Sequence, residues 1–266
     1  MYPQKQEPNP SEIRGEEMAE RFTKNLLVND EAMAYLKDRG VSKSWIEAGY
    51  LGICPPYSDH WFPLLRGRIT VPIRDVHGRI IAFAGRQFEP LVAMTERALW
   101  ESFGHKPEDA QKRIDKWKRA KWVNESFPKG RHLYMLDHAK EYARSENYLV
   151  MMEGYLDAFS FVQRGIGNAT ALCGTALTEF HAALISRYCA HGIILMDGDS
   201  AGAMAAEKSA AILLDAKIQP HLMHMPSGYD PDEYIVRVGG QFMKERLDRV
   251  IDENILNYQL PTLKIV

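Results

Sequence analysis

Downstream of Tyr148, apolar runs of about five residues alternate with amphipathic stretches two to three times as long. Tyr148–Glu153, Asn168–Leu172, Gly192–Met196 and Ile218–Met225 read as strands. Tyr155–Arg164, Thr178–Cys189 and Ala201–Ala216 read as helices, the first stopped by Gly165 and the second capped by Thr178. Strands alternating with helices predict βαβ units around a parallel sheet.

Upstream the rhythm is less regular. Pro3, Pro8 and Pro10 among charges suggest a mobile tail. Glu31–Asp38 reads as a helix ending at Arg39-Gly40, and Ser42 as the cap of a second short helix. Arg68–Arg74 and Arg79–Ala84 read as two strands joined by the hairpin turn Asp75-Val-His-Gly78. Residues 91–120 have helical spacing and end in Lys112, Arg113, Lys116, Lys118, Arg119 and Lys121. The expected organisation is a flexible tail (1–25), a basic lobe (26–147), an α/β sheet domain (148–240) and a helical tail (241–266).

Composition adds exclusions. The 266 residues are 45% hydrophobic and 26% charged, which rules out a disordered or collagen-like chain. No apolar run is long enough to span a bilayer, and the polar, acidic start does not read as a signal peptide. Cys54, Cys173 and Cys189 form no CxxC pair, so a reduced, cytoplasmic setting without structural zinc is expected. Net charge is −2 overall, but −3 over residues 1–60, +6 over 61–147 and −5 over 148–266. A basic middle and an acidic C-terminal part suggest a polyanion surface beside a metal-binding one.

The acidic residues sit where chemistry is expected. In open α/β sheets ligands gather at the carboxyl ends of strands. Glu153 follows the first of these strands, Asp197-Gly198-Asp199 the third, and Asp230-Pro231-Asp232 the fourth. Such carboxylates repel one another unless a cation neutralises them, and oxygen-only ligands suit magnesium or manganese. Cys173 and Cys189 read as buried apolar residues, and His181, His191, His221 and His224 as structural.

Four segments together resemble the TOPRIM core of DnaG-type bacterial and phage primases: Met152-Glu-Gly-Tyr-Leu-Asp157, Leu172-Cys-Gly-Thr-Ala-Leu-Thr178, Met196-Asp-Gly-Asp-Ser-Ala-Gly202 and Gly228-Tyr-Asp-Pro-Asp-Glu233. Upstream, Tyr35–Ser42, Arg66–Ile73, Ile81–Arg86, Ala120–Ser126 and Lys129–Tyr134 are similar to the N-terminal subdomain of the same RNA polymerase domain. The resemblance implies a mixed α/β fold, with a small basic α+β lobe packed on a TOPRIM domain whose central sheet is mainly parallel. It implies a DNA-dependent RNA polymerase making short primers on single-stranded DNA from ribonucleoside triphosphates. Divalent ions (Mg2+ or Mn2+) would lie on Glu153, Asp197, Asp199, Asp230 and Asp232, the first three being catalytic. Arg66, Arg68, Arg86, Lys121, Asn124, Lys129 and Arg131 would bind nucleotide and template, with Trp122 the best candidate for base stacking. A replicative helicase and a zinc-binding template-recognition module acting in trans are the further partners it raises. Relative to that family pattern, residues 89–120 read as an insertion. The alternatives are a TOPRIM nuclease, a haloacid-dehalogenase-like phosphatase using Asp197, and a non-catalytic nucleic-acid-binding module.

Overall fold

The computed structural model describes residues 10–58, 63–103, 107–196 and 200–260. In chain order the helices are α1 (Pro10–Leu27), α2 (Asp30–Asp38), α3 (Lys43–Glu47), α4 (Val92–Phe103), α5 (Pro107–Arg119), α6 (Leu136–Glu146), α7 (Tyr155–Gln163), α8 (Glu179–Ile185), α9 (Ser200–Asp215), α10 (Pro231–Val238) and α11 (Gly240–Asp252). The strands are β1 (Gly52–Cys54), β2 (Arg68–Arg74), β3 (Ile80–Gln87), β4 (Trp122–Asn124), β5 (Tyr148–Met152), β6 (Ala169–Ala171), β7 (His191–Met196), β8 (Gln219–His224) and β9 (Asn257–Gln259).

Two compact units result. The first holds Met1–Ile73 and Arg79–Phe127, and the second Arg74–Gly78 and Pro128–Val266. The first is built on a four-stranded sheet in the order β1-β2-β3-β4. The turn after β2 forms because the Asp75 carboxylate accepts the His77 N–H at 2.9 Å and Gly78 takes φ +86°, a conformation that favours glycine. Residues 10–25, expected as a flexible tail, instead belong to α1. Ala19, Phe22 and Leu26 recur at helical spacing and are buried, and Phe22 packs edge-on against Phe83 at 5.4 Å. Burying that apolar stripe offsets the cost of ordering the segment.

The second unit has a sheet in the order β6-β5-β7-β8-β9, parallel throughout. Strands β5 and β6 are buried throughout and β7 is buried from Gly192 to Leu195, as fits a sheet covered on both faces. The tail expected to be helical after residue 240 is helical only through Asp252, after which β9 adds to the sheet edge. α11 is tied down by Lys244, whose ammonium donates to the buried Tyr148 hydroxyl at 3.1 Å and pairs with Asp248. No helix among the described residues is long and apolar enough to cross a membrane.

Candidate active site

Glu153 lies one residue beyond β5, exposed, and lines a cleft of about 360 Å³. The facing wall is the turn Leu172–Leu177 after β6, where Cys173 and Gly174 both take positive φ (57° and 69°) and Thr175 N–H returns to Leu172 O. Parallel pairing of β5 with β7 brings their carboxyl ends side by side. Asp197 and Asp199, which follow β7 in sequence, lie outside the described residues.

Next to Glu153, α7 starts under a tight constraint. A Cβ on Gly154 would come within 2.1 Å of the Asp157 carboxylate, so only glycine lets that carboxylate fold back over the helix N-terminus. Asp157 Oδ1 also accepts the backbone N–H of Asp232 at 3.2 Å, joining the N-termini of α7 and α10. Asp157 was not among the residues expected at the site. Its signal in the sequence is an acidic residue in the first turn of a helix, where it meets unsatisfied N–H groups.

The two carboxylates beyond β8 have different surroundings. Asp230 is exposed and caps α10, accepting the Glu233 N–H at 2.7 Å. Asp232 is buried and accepts a hydrogen bond from the Ser160 hydroxyl. Its charge also acts on the half-buried Arg164 guanidinium, whose pKa burial lowers and Asp232 partly restores. Among the described residues no three His, Cys, Asp or Glu side chains converge as a metal site. The donor chemistry nevertheless fits a hard divalent cation: an exposed carboxylate at a strand end, with further carboxylate oxygens and no thiolate or imidazole.

Two of the expected cations belong to this unit. Lys129 and Arg131 flank a 3-10 turn that α8 holds in place. The Thr178 hydroxyl donates to Gly130 O at 2.6 Å and accepts the His181 N–H at 3.2 Å. His181 Nδ1 accepts the Thr178 N–H at 3.3 Å, so Nε2 carries the proton and donates to Lys129 O at 2.9 Å. The Arg131 guanidinium lies 4.1 Å above the Phe180 ring. Burial raises the Cys173 thiol to about 11, and hydrogen bonds with Tyr155 and Tyr134 and the Lys129 charge hold it lower than burial alone would.

The remaining cations belong to the first unit, and here one expectation is corrected. Arg68 does not line an open groove. It is fully buried, its Nε donating to Leu64 O at 3.0 Å, Nη1 to Ala120 O at 2.9 Å and Nη2 to Trp117 O at 2.6 Å, beside the Trp117 ring at 5.2 Å. Without a carboxylate partner, burial lowers its pKa to about 10. Arg66 is half-buried and donates to the Ser102 hydroxyl. Arg86 and the exposed Lys121 line a second cleft of about 590 Å³ with Tyr35, Phe88, Pro90 and the carboxylates of Glu31, Asp38 and Glu89. Arg86 Nε donates to the Tyr35 hydroxyl at 3.0 Å, and its guanidinium lies 5.9 Å above the Trp122 ring. Asn124, half-buried in β4, pairs with Ala84.

Comparison with known proteins agrees with this architecture. A family model described as Toprim-like matches residues 150–235. The DNA primase of Aquifex aeolicus is 30% identical over 263 residues, covering 88% of this chain and 47% of that protein. The chain thus spans about half the length of that curated relative. A DNA primase domain from Pseudomonas aeruginosa superposes with a TM-score of 0.70 at 26% identity, over 90% of this chain and 78% of that one. A DnaG primase catalytic domain solved with single-stranded DNA gives 0.69 at 25% identity, over 91% and 83%. Over nine-tenths of its length, therefore, the chain resembles the catalytic core of DnaG-type primases, and its second unit has their TOPRIM fold.

Proposed function

We propose that this chain is the polymerising core of a primase, joining ribonucleoside triphosphates into short RNA primers on a single-stranded DNA template, in the cytoplasm. The observation that carries this is the cleft beyond β5, where the exposed Glu153 faces the turn Leu172–Leu177, and Thr178 just after that turn holds the Lys129–Arg131 segment through Gly130 O. Phosphoryl transfer needs that combination, anionic groups for metal ions beside fixed cations for phosphate oxygens.

In this reading Glu153, Asp197, Asp199, Asp230 and Asp232 hold divalent cations, which supply charge neutralisation for the triphosphate and acidify the attacking 3′-hydroxyl. Lys129 and Arg131 bind phosphate oxygens of the incoming nucleotide. Their turn is already ordered by Thr178 and His181, so little entropy is lost when the nucleotide arrives. Asp157 and Ser160 fix the backbone and carboxylate of Asp232, and so set the angle of the α10 N-terminus. Arg86, Lys121, Asn124 and Arg66 contact template or nucleotide, with Trp122 beside them as a stacking surface. A replicative helicase and a zinc-binding module acting in trans are the proposed partners.

The test is direct. The purified chain, given labelled ribonucleoside triphosphates, single-stranded DNA and magnesium or manganese, should produce oligoribonucleotides that disappear with EDTA. Cleavage of the DNA without nucleotides would favour the nuclease reading. Phosphate-ester hydrolysis independent of template would favour the phosphatase.

A further inference from the structure

Helix α5 carries a ridge of cations that the proposed reaction does not use. Ala110, Ile114 and Trp117 are its buried positions. At about 100° per residue, Lys112, Lys116 and Arg119 fall on the opposite side, and all three are exposed. They span about 10 Å of helix axis at ~1.5 Å per residue.

Two ordinary explanations for such a ridge fail. Cations near a helix C-terminus offset about half an elementary charge on the last carbonyls. Here Arg68 already meets that need, its buried guanidinium donating to Trp117 O and Ala120 O. Among the described residues, ion pairing along the helix does not account for the ridge either. The Glu96 carboxylate pairs with Lys118, on another side of α5, and Asp115 accepts from Gln111 Nε2. Like charges at i,i+3 and i,i+4 spacing repel, so without an external anion the arrangement costs stability.

We propose that Lys112, Lys116 and Arg119 bind the phosphate backbone of single-stranded DNA, extending the template track beyond the 590 Å³ cleft. The identity of the strand rests on the primer-synthesis reading. Continuity within the unit supports it: α5 ends at Arg119, and Lys121, two residues on, lines that cleft with Arg86. At the cleft Arg86 and Lys121 meet the Tyr35 ring, and Trp122 beside Arg86 adds a stacking surface, while Glu31, Asp38 and Glu89 line the acidic part of the rim. The aromatic of α5, Trp117, is buried, so the ridge reads phosphate and not base, and its binding is independent of sequence.

The test compares the full chain with the variant Lys112→Gln/Lys116→Gln/Arg119→Gln by fluorescence anisotropy over a range of salt. It uses a short oligonucleotide, one several times longer, and a duplex of the longer length. Affinity for the long strand should fall about tenfold near 0.1 M salt. The log–log salt slope should flatten by about 2, the value for three lost single-strand phosphate contacts. The short oligonucleotide should bind unchanged and support the same nucleotide incorporation. Unchanged affinity and slope on the long strand, or equal weakening for the duplex, would overturn the assignment. If the variant misfolds, acetylation footprinting of the unaltered chain decides: the long strand must protect Lys112 and Lys116. A chain that makes no primers yet shows these effects would sink the primase reading while leaving the ridge a DNA contact.

Discussion

Arg68 illustrates how one side chain can mislead a reading of charge. Its neighbours in sequence, Arg66 and Arg74, are half-buried, while Arg68 is buried in the first unit. The family resemblance carried the expectation that it met phosphate, and burial was not readable from the alternation, because β2 is buried along nearly its whole length, Thr70 included. The guanidinium instead donates to the carbonyls of Leu64, in the 3-10 turn before β2, and of Trp117 and Ala120 at the end of α5. Arg68→Met keeps most of the volume and removes every donor. Each orphaned buried carbonyl costs about 1–3 kcal/mol, so urea denaturation should register a loss of about 3 kcal/mol or more. Arg68→Lys should recover only part, since one ammonium cannot span carbonyls that a planar fork reaches together. A wild-type unfolding midpoint for Arg68→Met would show that the guanidinium is dispensable.

At the level of elements, the regular strands and helices from β5 to β8 were legible because their apolar period is strong. The short or polar ones were not. β9 is three residues, Asn-Tyr-Gln, with no alternation to reveal it, and it exists because β8 leaves an edge to pair with. α1 was masked by its charges, although Ala19, Phe22 and Leu26 repeat at helical spacing. Likewise the cap at Thr178 was readable from sequence, but its second task was not. Thr178 and His181 hold the turn 129–132 some fifty residues away, a relation no local pattern carries. Thr178→Val should therefore cost about 1–2 kcal/mol as a lost cap. It should also raise the nucleotide KM more than it lowers kcat, because the loosened turn carries Lys129. The same turn makes stability depend on pH. Burial lowers the pKa of His181, and of His132 beside it, so the folded state keeps both imidazoles neutral. Below the unfolded value of about 6.5 the unfolded chain binds more protons. Stability should thus decline as pH falls through 6.5 towards the folded pKa values and level off beneath them. His181→Gln, which can donate to Lys129 O without titrating, should flatten that decline. Denaturation midpoints between pH 5 and 8 would reveal a slope that fails to change.

Across the whole molecule, opposite charges are divided between two units: a lobe with Lys121, Arg86 and the α5 ridge, and a parallel sheet whose strand ends hold the carboxylates. The uneven charge was legible in the sequence as +6 over residues 61–147 against −5 over 148–266, although Arg74, Lys129, Arg131, Lys140 and Arg144 of that basic stretch belong to the second unit. It predicts that binding and chemistry can be separated by single substitutions. Glu153→Gln preserves shape and removes one negative charge from the cleft beyond β5. Electrostatic stabilisation of a transferring phosphoryl group is worth several kcal/mol, and each ~1.4 kcal/mol is tenfold in rate. Primer synthesis should drop by about two orders of magnitude or more, while single-stranded DNA binding persists or tightens slightly, because the lost charge repelled phosphate. Lys121→Ala should do the reverse. Its side chain is exposed, so the fold should be retained with a stability change within about 0.5 kcal/mol. Affinity for template should fall and the salt slope flatten by about 0.7, with near-normal turnover once template saturates. Anisotropy titrations and incorporation assays on the same two variants give four numbers. If Glu153→Gln weakened DNA binding as much as synthesis, or Lys121→Ala lowered turnover at saturating template, the two tasks would not be divided between the units.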